Sequence, residues 1–252
     1  RYIINEKEFI QGANYFIEIT ATGHHEKTYY LFWTGGFDSS FRLCQLLLDE
    51  NRRVQPIYVV CRDLDSDNPL LSKQRNNVDY ELNTMTKIRQ TLIQKYPMIK
   101  NKFLPTHYVV GIQKDKTFTQ KYKSLYHEHN YFSRSITQYE RLARYAYYHP
   151  EPIEIGLEKC GTGLDEATNQ FRVGKGEKCQ IMHYSHLPSK YKNIEIFNKL
   201  RFPIAHLTKK EMKLISLQNK YYNILQLTWS CWYPTADGKQ CGECPQCLTR
   251  II

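Results

Sequence analysis

The stretch Tyr29-Tyr30-Leu31-Phe32-Trp33-Thr34-Gly35-Gly36-Phe37-Asp38-Ser39-Ser40 constrains the chain more than any other. It reads as an apolar strand that enters a tight loop and leaves it as a helix. Two adjacent glycines allow a sharp turn and a close approach of ligand to backbone. Thr34, Ser39 and Ser40 add hydroxyls. The following helix turns its free N–H groups and the positive end of its dipole toward the loop, an arrangement that suits phosphate or pyrophosphate. Asp38 would repel a phosphate unless it holds Mg²⁺ between the two anions or caps the helix. No lysine follows the glycines, so the loop is not a P-loop of the G-x-x-x-x-G-K-[ST] kind, nor is it G-x-G-x-x-G. An ordinary strand-to-helix turn is the structural alternative.

The residues after the loop extend this unit. Phe41, Cys44, Leu47 and Leu48 recur at helical spacing from Ser39 to Glu50, and Val54–Val60 reads as a second strand. Strand, helix and strand over this length predict a right-handed βαβ unit and a parallel sheet. Ligands in such sheets bind at the carboxyl ends of the strands. Further along, the pattern predicts helices over about 76–95, 117–130 and 136–148, and strands over 106–111 and 153–156. Residues 61–72 read as a polar loop of lid length, and 157–193 as an irregular, Gly- and polar-rich segment on the substrate side. Residues 202–207 read as a short extended piece. Thr208-Lys209-Lys210-Glu211 is a capping box that opens a helix through Leu217. Residues 15–20 read as a short strand, with the His24-His25 pair in a surface turn.

The chain of 252 residues suits one α/β domain with an appendage. The expected division is an N-terminal extension (1–27), an α/β nucleotide-binding domain (28–200) and a C-terminal helical and metal-binding segment (201–252). No apolar run is long enough to span a bilayer, and no signal peptide precedes the first strand, so the expected location is cytoplasmic. The chain starts at Arg1, so residues before it are expected to be missing. The formal net charge is +10, and residues 87–123 hold nine basic side chains against a single acidic one, Asp115. That stretch reads as a solvated face around an ATP site, with RNA as the alternative.

Eight cysteines are present, and four of them fall in Cys231-x9-Cys241-Gly-Glu-Cys244-Pro-Gln-Cys247. Two C-x-x-C steps that share Cys244 wrap the backbone around one ion, and Gly238 and Gly242 permit the turns. Four thiolates suit a closed, structural tetrahedral Zn²⁺ site. An iron–sulfur cluster is the rival, and a disulfide framework is disfavoured in a reducing compartment.

Thr34-Gly35-Gly36-Phe37-Asp38-Ser39-Ser40 resembles the Ser-Gly-Gly-x-Asp-Ser loop of the PP-loop (N-type) ATP pyrophosphatases. With the C-terminal Ser-Cys…Cys-Gly-x-Cys-x-x-Cys pattern, the chain is similar to the 7-cyano-7-deazaguanine (preQ0) synthase family. Arg134 before the helix ending in Tyr145-Ala146, the Ile153–Gly156 strand, Pro203 through Glu211, and Thr228–Cys231 carry the same resemblance. It implies a Rossmann-like sheet with helices on both faces and a small zinc knuckle. It also implies an ATP-dependent ligase that adenylates a purine-like carboxylic acid and uses ammonia to form an amide or nitrile, as a homodimer. Transferred residue by residue, Gly35, Gly36, Phe37, Ser39 and Ser40 with Thr34 line the pyrophosphate, Asp38 takes Mg²⁺ and Arg134 takes phosphate. Val60 and Gly156 lie against the nucleotide, and Cys231, Cys241, Cys244 and Cys247 hold zinc. The chain departs from the family after Gly156. Leu157-Glu158-Lys159-Cys160-Gly161 stands there, and the family's Tyr-Pro-Asp-Cys-Arg motif is missing. A PP-loop tRNA thiolase and a non-catalytic nucleotide-binding member are the other two readings.

Overall fold

The computed structural model describes residues 26–60, 77–128, 137–161 and 163–249. The expected 15–20 strand, the His24-His25 turn, the 61–72 lid and Arg134 lie outside these residues.

The first unit forms where the apolar pattern places it. Strand β1 (Thr28–Phe32) leads through Trp33–Gly36 into helix α1 (Phe37–Cys44), which continues in a π-helical turn over Gln45–Asp49. The helix therefore starts two residues before the predicted Ser39, because Gly36 supplies the extended N-cap backbone. Strand β2 (Arg53–Val59) follows and pairs parallel with β1, Leu31 beside Pro56. Helix α2 (Val78–Lys95), β3 (His107–Val109), α3 (Lys116–Glu128), α4 (Thr137–Tyr148) and β4 (Ile153–Ile155) match the expected elements to within a few residues.

The sheet then continues further than the sequence pattern predicts. After α5 (Gly163–Thr168) come β5 (Arg172–Val173), β6 (Gln180–Ile181) and β7 (Leu200–Arg201). Residues 157–193, read as irregular, thus carry a short helix and two sheet strands. Two-residue strands are too short to show a period of two. The expected extended piece at 202–207 is instead a pair of turns: the Ala205 N–H donates to the Phe202 carbonyl and the Leu207 N–H to the Ile204 carbonyl. Pro203 has no N–H with which to prolong the ladder of β7. Helices α6 (Lys209–Gln218), α7 (Tyr222–Leu225) and α8 (Pro245–Leu248) complete the chain.

The seven strands run in the order β3-β2-β1-β4-β7-β6-β5. The first five are mutually parallel, and β6 and β5 run antiparallel. The chain winds outward from β1 through β2 to β3, then returns to place β4 on the other side of β1. The β1/β4 boundary is therefore the topological switch point, where such sheets open a crevice at their carboxyl ends.

Alternation along each strand feeds two cores. Leu31, Trp33, Val54 and Tyr58 pack with α1, α2, Met212 of α6 and Ile224 of α7 on one face. Phe32, Ile57, Val59, Ile153 and Ile155 pack with α3, α4 and the 3₁₀ turns of Ser189–Phe197 on the other. Cys44 is buried in the first of these cores as a packing residue, and burial pushes its thiol up. Among the described residues no helix is long and apolar enough to cross a membrane.

One buried ion pair ties α1 to the sheet. Arg42 donates from Nε to Glu154 Oε2 (2.7 Å) and from Nη2 to Glu154 Oε1 (3.1 Å), and it also pairs with Glu50. Both side chains of the Arg42–Glu154 fork are almost fully withdrawn from water. Removing one partner strands a buried charge, which costs about 3–5 kcal/mol. Arg42→Met is expected to lower stability by about that amount. Arg42→Met/Glu154→Leu should recover a large part of it, as read from urea unfolding midpoints.

Candidate nucleotide and metal site

The Thr34–Ser40 loop leaves β1 at the switch point, and its shape follows from its residues. Gly35 has φ +73°, a conformation that glycine adopts at no cost. A Cβ there would also meet Thr84 Cγ2 at 3.1 Å and Met85 Cγ at 3.2 Å on α2. Phe37 is buried in the core and pins the first turn of α1. The Ser40 N–H donates to the Gly36 carbonyl (3.0 Å), so the amides before it precede the helical ladder. The two serines differ. Ser39 Oγ donates to the Gly36 carbonyl at 3.4 Å, within the loop. Ser40 Oγ is buried and accepts from the Trp33 indole N–H at 3.0 Å, bracing the strand-to-helix junction. Thr34 is half-buried at the loop entrance.

Gly156 follows β4 directly beneath this loop. A Cβ at Gly156 would lie 2.6 Å from Ser39 N and 2.7 Å from Ser39 Cα. Glycine is needed there for the close packing of strand end on helix start. Val60 ends β2 nearby, and its N–H donates to the Val109 carbonyl (2.9 Å).

Asp38 is the electrostatic centre. Among the described residues its Oδ1 is buried with no hydrogen-bond partner. Burial pushes its carboxyl up to about 7, against the pull of the Lys209 ammonium and with a further push from Glu158. An oxygen aimed into the crevice in this state fits the Mg²⁺ role, since a divalent cation is a partner that such a carboxylate lacks. It does not fit the capping alternative, because α1 has no side-chain cap. Lys209 opens α6, where Thr208 and Glu211 form the predicted capping box. Its Nζ lies 2.8 Å from Glu158 Oε1. Burial pulls the Lys209 ammonium down, and Asp38 and Glu158 outweigh that and hold it above its ordinary range. Sequence patterning singled out neither Lys209 nor Glu158 as a site residue. They meet only because the loop after β4 and the start of α6 are clamped together, the Lys159 N–H donating to the Leu207 carbonyl at 2.8 Å.

The four C-terminal cysteines converge. Their Sγ atoms all lie within 4.8 Å of one another, with Cys231–Cys241 at 3.5 Å and Cys241–Cys247 at 3.8 Å. A tetrahedron with Zn–S bonds of about 2.3 Å has S···S edges of roughly 3.8 Å, so the set fits one Zn²⁺. Backbone amides support it: the Cys241 N–H donates to Cys231 Sγ and the Cys244 N–H to Cys241 Sγ, each at 3.3 Å. The amides of Glu243 and Cys244 pull the Cys241 thiol down to about 6, and burial pushes Cys247 up to about 12. Gly238 and Gly242 make the turns with φ of +78° and +75°.

The knuckle is fastened to the loop. The Trp229 N–H donates to the Gly35 carbonyl at 3.1 Å, while its indole N–H donates to the Cys231 carbonyl at 2.9 Å. Its ring stacks on Tyr80 of α2 with centroids 4.6 Å apart. The family model described as "Queuosine biosynthesis protein QueC" matches residues 179–251. The chain is a QueC-like member of the PP-loop superfamily. The match covers β6 through α8 with all four clustered cysteines, and it stops short of the Thr34–Ser40 loop. Neither the curated proteins nor the solved structures gave a match.

The basic 87–123 stretch does not form one open surface. Arg89 donates to the Phe103 and Leu104 carbonyls and stacks on Phe103. Lys95 reaches Lys220 and Asn223, Lys102 reaches Asn51 and Lys121 pairs with Glu195.

Two outcomes are expected. The purified QueC-like protein should carry one zinc per chain by atomic absorption, and Cys244→Ser should lose it. Iron with visible charge-transfer absorbance would overturn the zinc assignment. The second concerns pH without divalent cations. Unfolded Asp38 titrates near its ordinary value of about 4, whereas the folded carboxyl keeps its proton to about 7. Its penalty on folding is therefore absent below about pH 4, grows as pH rises to about 7, and stays constant above. Asp38→Asn should raise the Tm above pH 7, with the gap to wild type closing as pH falls toward 4.

Proposed function

We propose that this QueC-like chain is an ATP-dependent carbon–nitrogen ligase that adenylates a purine-like carboxylic acid and converts it, with ammonia, to an amide or nitrile. One contact carries the reading. The bond from the Trp229 N–H to the Gly35 carbonyl joins the family-matched C-terminal segment to the Gly-Gly loop. The features of family and loop thus belong to one site, at the crevice where parallel sheets bind nucleotides.

In this reading a substrate carboxylate oxygen attacks the α-phosphorus of ATP. The bond to the bridging oxygen breaks, and pyrophosphate leaves into the loop. Ammonia then attacks the acyl carbon and gives up a proton, and AMP departs with the bonding pair to leave an amide. A nitrile requires a second ATP to activate the amide oxygen before it is lost with AMP. The protein contributes position and charge. Gly35 and Gly36 bring the backbone close, the first amides of α1 and the Ser39 hydroxyl donate to pyrophosphate, and Val60 lies at the adenine side. Asp38 would hold the Mg²⁺ that neutralises phosphate charge. Arg134 is assigned to phosphate by resemblance alone, as are the homodimer and the cytoplasmic setting. The RNA-modifying alternative has less support, because Arg89, Lys95, Lys102 and Lys121 are engaged within the fold.

The test is product analysis with α-labelled ATP, Mg²⁺, ammonium and 7-carboxy-7-deazaguanine. AMP and pyrophosphate are expected only when the acid is present. AMP formed with tRNA instead would move the assignment to the RNA-modifying reading. ATP bound without any turnover would move it to a nucleotide-binding protein.

A further inference from the structure

A charge cluster beside the loop goes beyond the residues that the resemblance supplies. The Lys209 side chain is only 12 % exposed and that of Glu158 19 %, and they pair at 2.8 Å. Both are held from behind. The capping box fixes the start of α6. Asp165, itself buried and paired with Arg172, accepts the Cys160 and Gly161 amides at 2.9 and 2.8 Å, which fixes the loop that carries Glu158. The Lys209 ammonium acts on Asp38 as well, whose Oδ1 has no partner among the described residues.

A lysine withdrawn from water is costly unless its charge is answered, and a pair that served only the fold would need no second carboxylate left open beside it. The local charge is also wrong for the occupant the loop suits. Asp38 and Glu158 against Lys209 leave one net negative charge where α1 presents its amides to an anion. With Lys209 free to turn toward that anion, and a divalent cation answering Asp38, the balance reverses.

We propose that Lys209 is a binding residue for the pyrophosphate portion of the nucleotide, and that Glu158 holds its ammonium in place between binding events. This deepens the ligase reading and rests on its nucleotide site. It makes a specific demand: Lys209 should distinguish ATP and pyrophosphate from AMP, which lacks the β- and γ-phosphates. A charge-assisted bond to phosphate is worth about tenfold or more in affinity.

The experiment is calorimetric titration of the full, metal-loaded chain with ATP, pyrophosphate and AMP in the presence of Mg²⁺. It uses wild type, Lys209→Met and Lys209→Gln, with Tm recorded for each. Gln keeps a donor for Glu158 and removes only the charge, so it serves if the Met variant fails to fold. Both variants should weaken ATP and pyrophosphate by about tenfold or more and change AMP by less than about twofold. Glu158→Gln should bind ATP at least as tightly as wild type. A folded Lys209 variant that binds ATP and pyrophosphate like wild type, or that loses AMP equally, overturns the role of Lys209 alone. A wild type that binds neither ATP nor pyrophosphate overturns the nucleotide reading and this proposal with it.

Discussion

The fork between Arg42 and Glu154 is the constraint on which the site depends. It crosses from α1 to β4, the two elements that flank the switch point, and it does so inside the protein where each charge needs the other. Two residues beyond Glu154, Gly156 brings the end of β4 against the backbone of Ser39. Four residues before Arg42, Asp38 faces the crevice. The ion pair therefore sets how far the loop stands from the strand end beneath it, and glycine makes the short distance possible. Arg42 and Glu154 touch no ligand in this arrangement. They fix the separation on which ligand contacts depend.

Above that frame the site is assembled from four separate stretches. The Gly-Gly loop comes from β1, Glu158 from the end of β4, Lys209 from the start of α6 and Trp229 from the run into the cysteines. Each is anchored by local chemistry: a buried Phe37, an Asp165 bracket, a capping box, a ring stack on Tyr80. The anchoring bonds lie on the side away from the crevice. Such division of labour leaves Asp38, Ser39 and Lys209 as the polar groups that face it.

What could be read in the sequence was what is local in the chain. The strand–loop–helix unit, the Thr208–Glu211 capping box and the cysteine spacing each occupy one short window, and each appears in the fold where the pattern put it. Lys209 and Glu158 escaped notice because nothing at their own positions marks them, and their meaning arises only when α6 is laid beside the β4 loop. Strands β5 to β7 were illegible for a different reason, since two residues cannot display an alternation. The charge count misled in the same way. Arg89 counts as a free cation in a composition, yet in the fold it spends its donors on the Phe103 and Leu104 carbonyls. Ser40 looks like a phosphate donor by position and turns out to brace Trp33.

The hold of Trp229 on Gly35 has an order of events built into it. The loop is among the first segments to leave the ribosome and the cysteines are among the last of those described. The carbonyl of Gly35 gains its partner only after nearly all of the intervening chain has been made, and Trp229 is itself fixed through Cys231. A nascent or proteolytically shortened chain would carry the Gly-Gly loop without its clasp. Completion of the chain and capture of a metal ion thus become conditions for a finished nucleotide loop, so that unfinished copies are kept from drawing on cellular ATP.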